Sequence, residues 1–163
     1  MFRFDDSARM THPAGLVWSV LIDFPGVPRW EDGVREVRQV SPGPIGLGTF
    51  FAVRRVYGGR EAAVEGRIID WQDGRSATME IAGGPVRSAR VTYAVEPLDD
   101  EACLVRYVAE GELAPPMGWL GPLIAVVGRR QVRANLARLD RLVREASDGG
   151  VEGARRPARR RAP

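Results

Sequence analysis

Arg55, Tyr93 and Tyr107 are the side chains in this sequence best suited to a carbonyl or an oxyanion, because each falls on an otherwise apolar alternation phase. Arg55 follows Phe51 and Val53 and precedes Tyr57 at a spacing of two. Tyr93 lies between Val91 and Val95, and Tyr107 between Val105 and Ala109. A guanidinium on an inward phase needs a partner, which a ligand carbonyl, enolate or carboxylate would supply; alternatively, a bulge near Arg54 and Arg55 swings it to solvent. A phenol on the same side packs against an aromatic ligand and donates a hydrogen bond, or it is a core residue with a satisfied hydroxyl. Asp70 has the same phase at the end of its segment. If buried, it would be a general base for an acidic proton between two carbonyls; a wet strand end would leave it ordinary.

Other reactive residues carry little. His12, the only histidine, stands beside Pro13 at a helix start, where a solvent-exposed capping position is expected. His12 and the single Cys103 form neither a metal set nor a Cys-His nucleophile, and no glycine-rich phosphate loop surrounds Gly58-Gly59 or Gly83-Gly84. Neither a metal nor a cofactor is expected.

The elements that position these residues follow from periodicity. Phe2, Phe4, Ala8 and Met10 alternate with polar neighbours and predict a first strand. Thr11 stands at a cap position, His12-Pro13 at the first helical positions, and Leu16, Val17, Val20 and Leu21 form the apolar stripe of a short helix. The segment Phe24 to Pro28 breaks it, and Pro28 to Gly33 reads as a second helical turn. Six strands are then predicted, over 34–40, 49–57, 61–71, 76–81, 87–96 and 102–113, joined by short turn-rich connections that favour hairpins. Beyond Pro115-Pro116 an apolar run from Trp119 to Val127 continues into Val132, Leu136, Leu139 and Val143. This predicts one long amphipathic helix over 119–146, about 40 Å at 1.5 Å per residue. Gly121, Ala125 and Gly128 thin one of its faces, leaving room for a ligand or for close packing on the sheet.

This order of parts implies an α+β fold in which one helix crosses the open side of a curved antiparallel sheet, an arrangement that encloses a cavity. At 163 residues the chain accommodates one domain, expected over 1–147, with a disordered Arg- and Pro-rich tail over 148–163. No apolar run is long enough to span a bilayer, the amino terminus lacks a secretory pattern, and one cysteine suits a reducing compartment, so a cytoplasmic location is expected. The pI near 9.7 is misleading. The tail holds five Arg against Asp148 and Glu152, leaving the first 147 residues with 19 Arg against 19 acidic groups. Nucleic acid is therefore not an expected partner, and the tail offers at most weak contact with an anionic surface.

Pro13-Ala14-x-x-Val17-Trp18 opening the first helix, Asp23 at its end, Pro28-x-Trp30 in the second turn and Gly46-x-Gly48 before the third strand resemble the START-like, helix-grip (SRPBCC) superfamily. The likeness is greatest to its polyketide cyclase and dehydratase branch and extends over residues 1 to 146. It implies a seven-stranded curved sheet wrapped around a long carboxy-terminal helix, with a hydrophobic cavity between. It implies no single activity, since members include cyclases, lipid carriers and receptors. On this resemblance a hydrophobic, aromatic or polyketide-like molecule is the expected ligand, with cyclisation or dehydration as the chemistry and a non-catalytic lipid carrier or regulatory module as the alternative. Arg55 would hold an oxyanion, and Tyr93 or Tyr107 would polarise a carbonyl. The expected lining comprises Phe51, Val53, Tyr57, Val64, Met79, Val91 and Val105 from the strands, Ile124 and Gly128 from the helix, Trp119 near its start, and Trp30 as a lid over the mouth.

Overall fold

In the computed structural model, which describes residues 1–154, strand β1 (Phe2–Met10) is followed by helix α1 (Ala14–Leu21) and a 3-10 turn (Phe24–Arg29). Strands β2 (Val34–Gln39), β3 (Phe50–Tyr57), β4 (Arg60–Gln72), β5 (Ser76–Gly83), β6 (Val86–Pro97) and β7 (Cys103–Leu113) follow in a meander. A short 3-10 turn (Met117–Leu120) leads into helix α2 (Gly121–Ala154).

The seven strands form one antiparallel sheet in the order β1-β7-β6-β5-β4-β3-β2. α1 and the turn after it carry the chain from one edge to the other, and the meander then returns to the start. Ladder irregularities at Val34/Glu36, Ile68/Asp70, Ile81/Gly83 and Val86/Ser88 introduce the local bends that curve the sheet. The helix-grip architecture implied by the resemblance is the observed one.

α2 runs along β1. Gly128 faces the Phe4 ring, Arg133 pairs with Asp6 at 3.0 Å, and Asp140 lies 3.4 Å from His12. Val132, Leu136, Leu139 and Val143 are buried against the concave face, joining Met10, Val17, Phe51, Val105 and their neighbours in a continuous core. Fully burying one such side chain contributes roughly 1.5–3 kcal/mol. At the far end α1 is tied to the β4–β5 turn: the Trp18 indole packs on Trp71 and donates to Asp73 Oδ1 at 3.1 Å.

Three local expectations are corrected. α1 begins at Ala14, with Pro13 as a cap that makes no side-chain hydrogen bond, so Thr11 is not the cap and His12-Pro13 are not its first turn. His12 is buried rather than solvent-exposed, because the β1–α1 corner folds it beneath α2 toward Asp140. Helix α2 continues through Ser147 to Ala154 into the segment expected to be irregular; the rest of the expected tail, 155–163, lies outside the described residues.

Candidate functional site

Glu31 is the centre of the polar chemistry inside the concave face. It follows the 3-10 turn, where its N–H donates to the Val27 carbonyl at 2.8 Å, so the turn aims its side chain inward. The next residue is clamped from above, because buried Asn135 of α2 accepts from the Asp32 N–H at 3.1 Å and Gln131 donates to Asp32 Oδ2 at 3.0 Å. Gly33, in a left-handed conformation at φ +83, then lets the chain turn sharply, and its carbonyl accepts from Val56 of β3 at 2.7 Å. Helix, turn and sheet thereby fix one carboxylate.

That carboxylate is only 3% exposed, and both of its oxygens are engaged. Arg55 Nη1 donates to Oε1 at 2.6 Å, and the Tyr93 hydroxyl donates to Oε2 at 3.1 Å. Tyr93 meets Tyr107 edge to face at 5.1 Å between centroids, and Trp30 packs edge-on against Tyr93 at 6.0 Å. The Arg55 guanidinium also lies 5.8 Å from the Tyr57 ring centroid. Arg55, Tyr93 and Tyr107, separated by 52 residues of sequence, thus meet around an acid that periodicity did not single out.

Burial would push the Arg55 guanidinium down, but the Glu31 charge and hydrogen bond together with the neighbouring Tyr107 and Tyr57 outweigh it and hold the group above its ordinary range. Burial pushes both Tyr93 and Tyr107 up, and the Glu31 charge reinforces the shift in each. Tyr57 is raised less simply: burial moves it up while Arg55 opposes. The two inner phenols are therefore held neutral and are weak acids. The Arg55 side chain retains 24% exposure, and a guanidinium has five N–H donors, so Glu31 leaves donors for a second partner.

The expected lining divides in two. Phe51, Val53, Val64, Met79, Val91 and Val105 point inward as expected and are buried, with Met79 lying over Gly66 and the Phe51 ring tilted against that of Phe24. Tyr57 and Ile124 are half-buried, and with Phe4 and Leu113 they surround a small cluster of Phe2, Val86 and Ala89 at the end where α2 begins. That end of the concave face carries partly accessible apolar side chains beside Arg55.

Four expected site residues are placed differently. Trp30 is 1% exposed and lies deep in the core, since the 3-10 turn rotates it inward; it is not a lid. Its indole nitrogen is buried and has no hydrogen-bond partner among the described residues. Trp119 is 77% exposed in the turn before α2 and lines nothing. Gly128 leaves no room for a ligand, because the Phe4 ring fills the space that its side chain would occupy. Asp70 faces outward and is exposed: the irregularity between Ile68 and Asp70 inverts the alternation and turns Trp71 inward. The irregularity of this strand pair lies in β2, opposite Arg55, and not at Arg54 and Arg55 themselves, so Arg55 keeps its inward phase. Among the described residues no group of three acidic, His or Cys side chains is arranged to hold a metal ion.

Residues 1–144 match the family described as polyketide cyclase / dehydrase and lipid transport. The chain belongs to that family. No curated protein sequence matches it. Among solved structures, a START superfamily protein from Mycobacterium smegmatis aligns with a TM-score of 0.77 at 11% identity, covering 90% of this chain and 99% of that one. A Thermus thermophilus protein aligns at 0.74 and 20% identity over 89% of this chain and 99% of its own. The Streptomyces aromatase/cyclase Zhui aligns at 0.74 and 15% identity, over 87% and 93% respectively. At these identities the family shares with its structural neighbours a fold, and the chemistry of this member must be argued from its own residues.

Proposed function

We propose that this protein binds a hydrophobic small molecule, aromatic or polyketide-like, at the end of the concave face that carries Tyr57 and Ile124. Arg55 is its polar anchor. The observation that carries this reading is the partly exposed Arg55 side chain, held by a buried carboxylate beside partly accessible apolar side chains. Glu31 and Tyr93 orient Arg55, and its remaining donors address a carbonyl or an oxyanion on the ligand. Membership of a family described by cyclisation, dehydration and lipid transport supports a ligand of this kind.

Binding is favoured over proton transfer. Burial makes Tyr93 and Tyr107 weaker acids, and the Tyr93 proton is already committed to Glu31. Cyclisation on this scaffold would rest on confinement of a flexible chain and on oxyanion stabilisation by Arg55. The non-catalytic carrier is the simpler assignment for these residues.

Anilinonaphthalene sulfonate, an apolar aromatic anion, tests the site directly. It is expected to bind the wild-type protein with enhanced fluorescence and to bind Arg55→Met about tenfold or more weakly, the cost of a lost charge-assisted contact. Equal affinity for the two proteins would remove Arg55 from the site. Native mass spectrometry of the purified protein then separates the readings: a retained acyl lipid favours the carrier and an aromatic polyketide favours the cyclase.

A further inference from the structure

The outer face of α2 is apolar where it should be polar. Leu123, Val126 and Val127 follow one another at i, i+3 and i+4 on the side away from the sheet, and each is more than half exposed. Trp119, in the turn just before, extends this surface. The stripe ends in Arg130 at i+7, with Arg129 beside it and a shallow groove of about 270 Å³ formed by Ala125, Val126 and the arginines. A contiguous exposed apolar face of this kind marks an interaction surface.

Charge selects the partner. Between Glu112 and Asp140 there is no acidic residue, whereas Arg129, Arg130, Arg133 and Arg138 all occur there. Arg133 and Arg138 are occupied by Asp6 and Asp32, but Arg129 and Arg130 make no ion pair among the described residues. An apolar tip backed by one turn of arginine matches a surface whose interior is hydrocarbon and whose rim is anionic. A symmetric contact between two copies through this face would instead bring four arginines together.

We propose that the start of α2 docks on an anionic lipid bilayer, with Trp119, Leu123 and Val126 entering the acyl boundary and Arg129 and Arg130 at the level of the phosphates. This does not depend on what the interior binds. The surface lies at the same end of the molecule as Tyr57 and Ile124.

Co-sedimentation of the full chain with vesicles tests it. Binding is expected to vesicles containing phosphatidylglycerol, to be weak on phosphatidylcholine alone, and to fall as salt is raised. The variant Leu123→Gln/Val126→Gln keeps every arginine, including those after residue 154, and is expected to bind at least about tenfold more weakly. Its thermal unfolding by circular dichroism should match the wild type, because both side chains are exposed; Val126→Ser alone serves if the double variant does not fold. Three results would each overturn the proposal: no preference for phosphatidylglycerol, full binding by the Gln variant, or a wild-type dimer in sedimentation equilibrium that this variant dissolves.

Discussion

Glu31 Oε1 and Arg55 Nη1 lie 2.6 Å apart inside the concave face, with the carboxylate buried and the guanidinium partly open. The pair is asymmetric. Removing the arginine strands a buried charge, whereas removing the acid frees a cation that still reaches solvent.

Arg55→Ala is therefore expected to destabilise the fold by about 3–5 kcal/mol, the range for breaking a buried pair from one side. Glu31→Gln/Arg55→Met, which neutralises both partners at similar volume, should lose much less than the sum of its single variants. Urea unfolding of the four proteins completes the cycle. Additive losses would mean that the two groups are energetically independent.

Alkaline pH should weaken the protein. Tyr93 and Tyr107 ionise near their ordinary value of 10.0 in the unfolded chain but only at higher pH in the folded one. Their contribution is complete below about pH 10. Above it the unfolded state releases protons that the folded state keeps, so the free energy of unfolding falls as pH rises, by up to about 1.4 kcal/mol per pH unit for each group. Tyr93→Phe/Tyr107→Phe should flatten that fall, leaving the residual slope of Tyr57 and Cys103, which burial also raises. An equally steep slope in the double variant, measured by urea unfolding from pH 9 to 11, would contradict the assignment.

Gly128→Ala pits helix propensity against packing. Alanine favours a helix interior by roughly 1 kcal/mol, yet a Cβ at this position would come within 2.5 Å of the Phe4 ring. Overpacking should win, with a net loss of about 1–3 kcal/mol in thermal or urea unfolding. Phe4→Leu combined with Gly128→Ala should recover part of it. A stabilised single variant would show that β1 and α2 separate easily.

The strand order was legible because each β segment buries one face and short glycine-rich turns leave its neighbour no other place to pair. Val91, Tyr93 and Val95 are on the inward side for that reason, as are Val105, Tyr107 and Ala109. The same logic failed at Asp70, where one irregular residue inverts a two-residue period. It failed at His12 for a different cause: burial there comes from α2, more than a hundred residues away.

Glu31 carried a weak signal of its own. An inward arginine demands an acid, and Trp30-Glu31 closes a turn that must lie near β3, but nothing local selects one of 21 acidic residues. Apart from element ends and the inverted face at Asp70, periodicity determined the elements, their faces and the inward arginine, since those depend on neighbours a few residues apart. Only the folded chain decided that Glu31 meets Arg55, that Trp30 is core, that Phe4 fills the space beside Gly128 and that Leu123 and Val126 remain uncovered. Those outcomes depend on how α2 settles on a bent sheet, a long-range choice among contacts of similar energy that no short window of residues encodes.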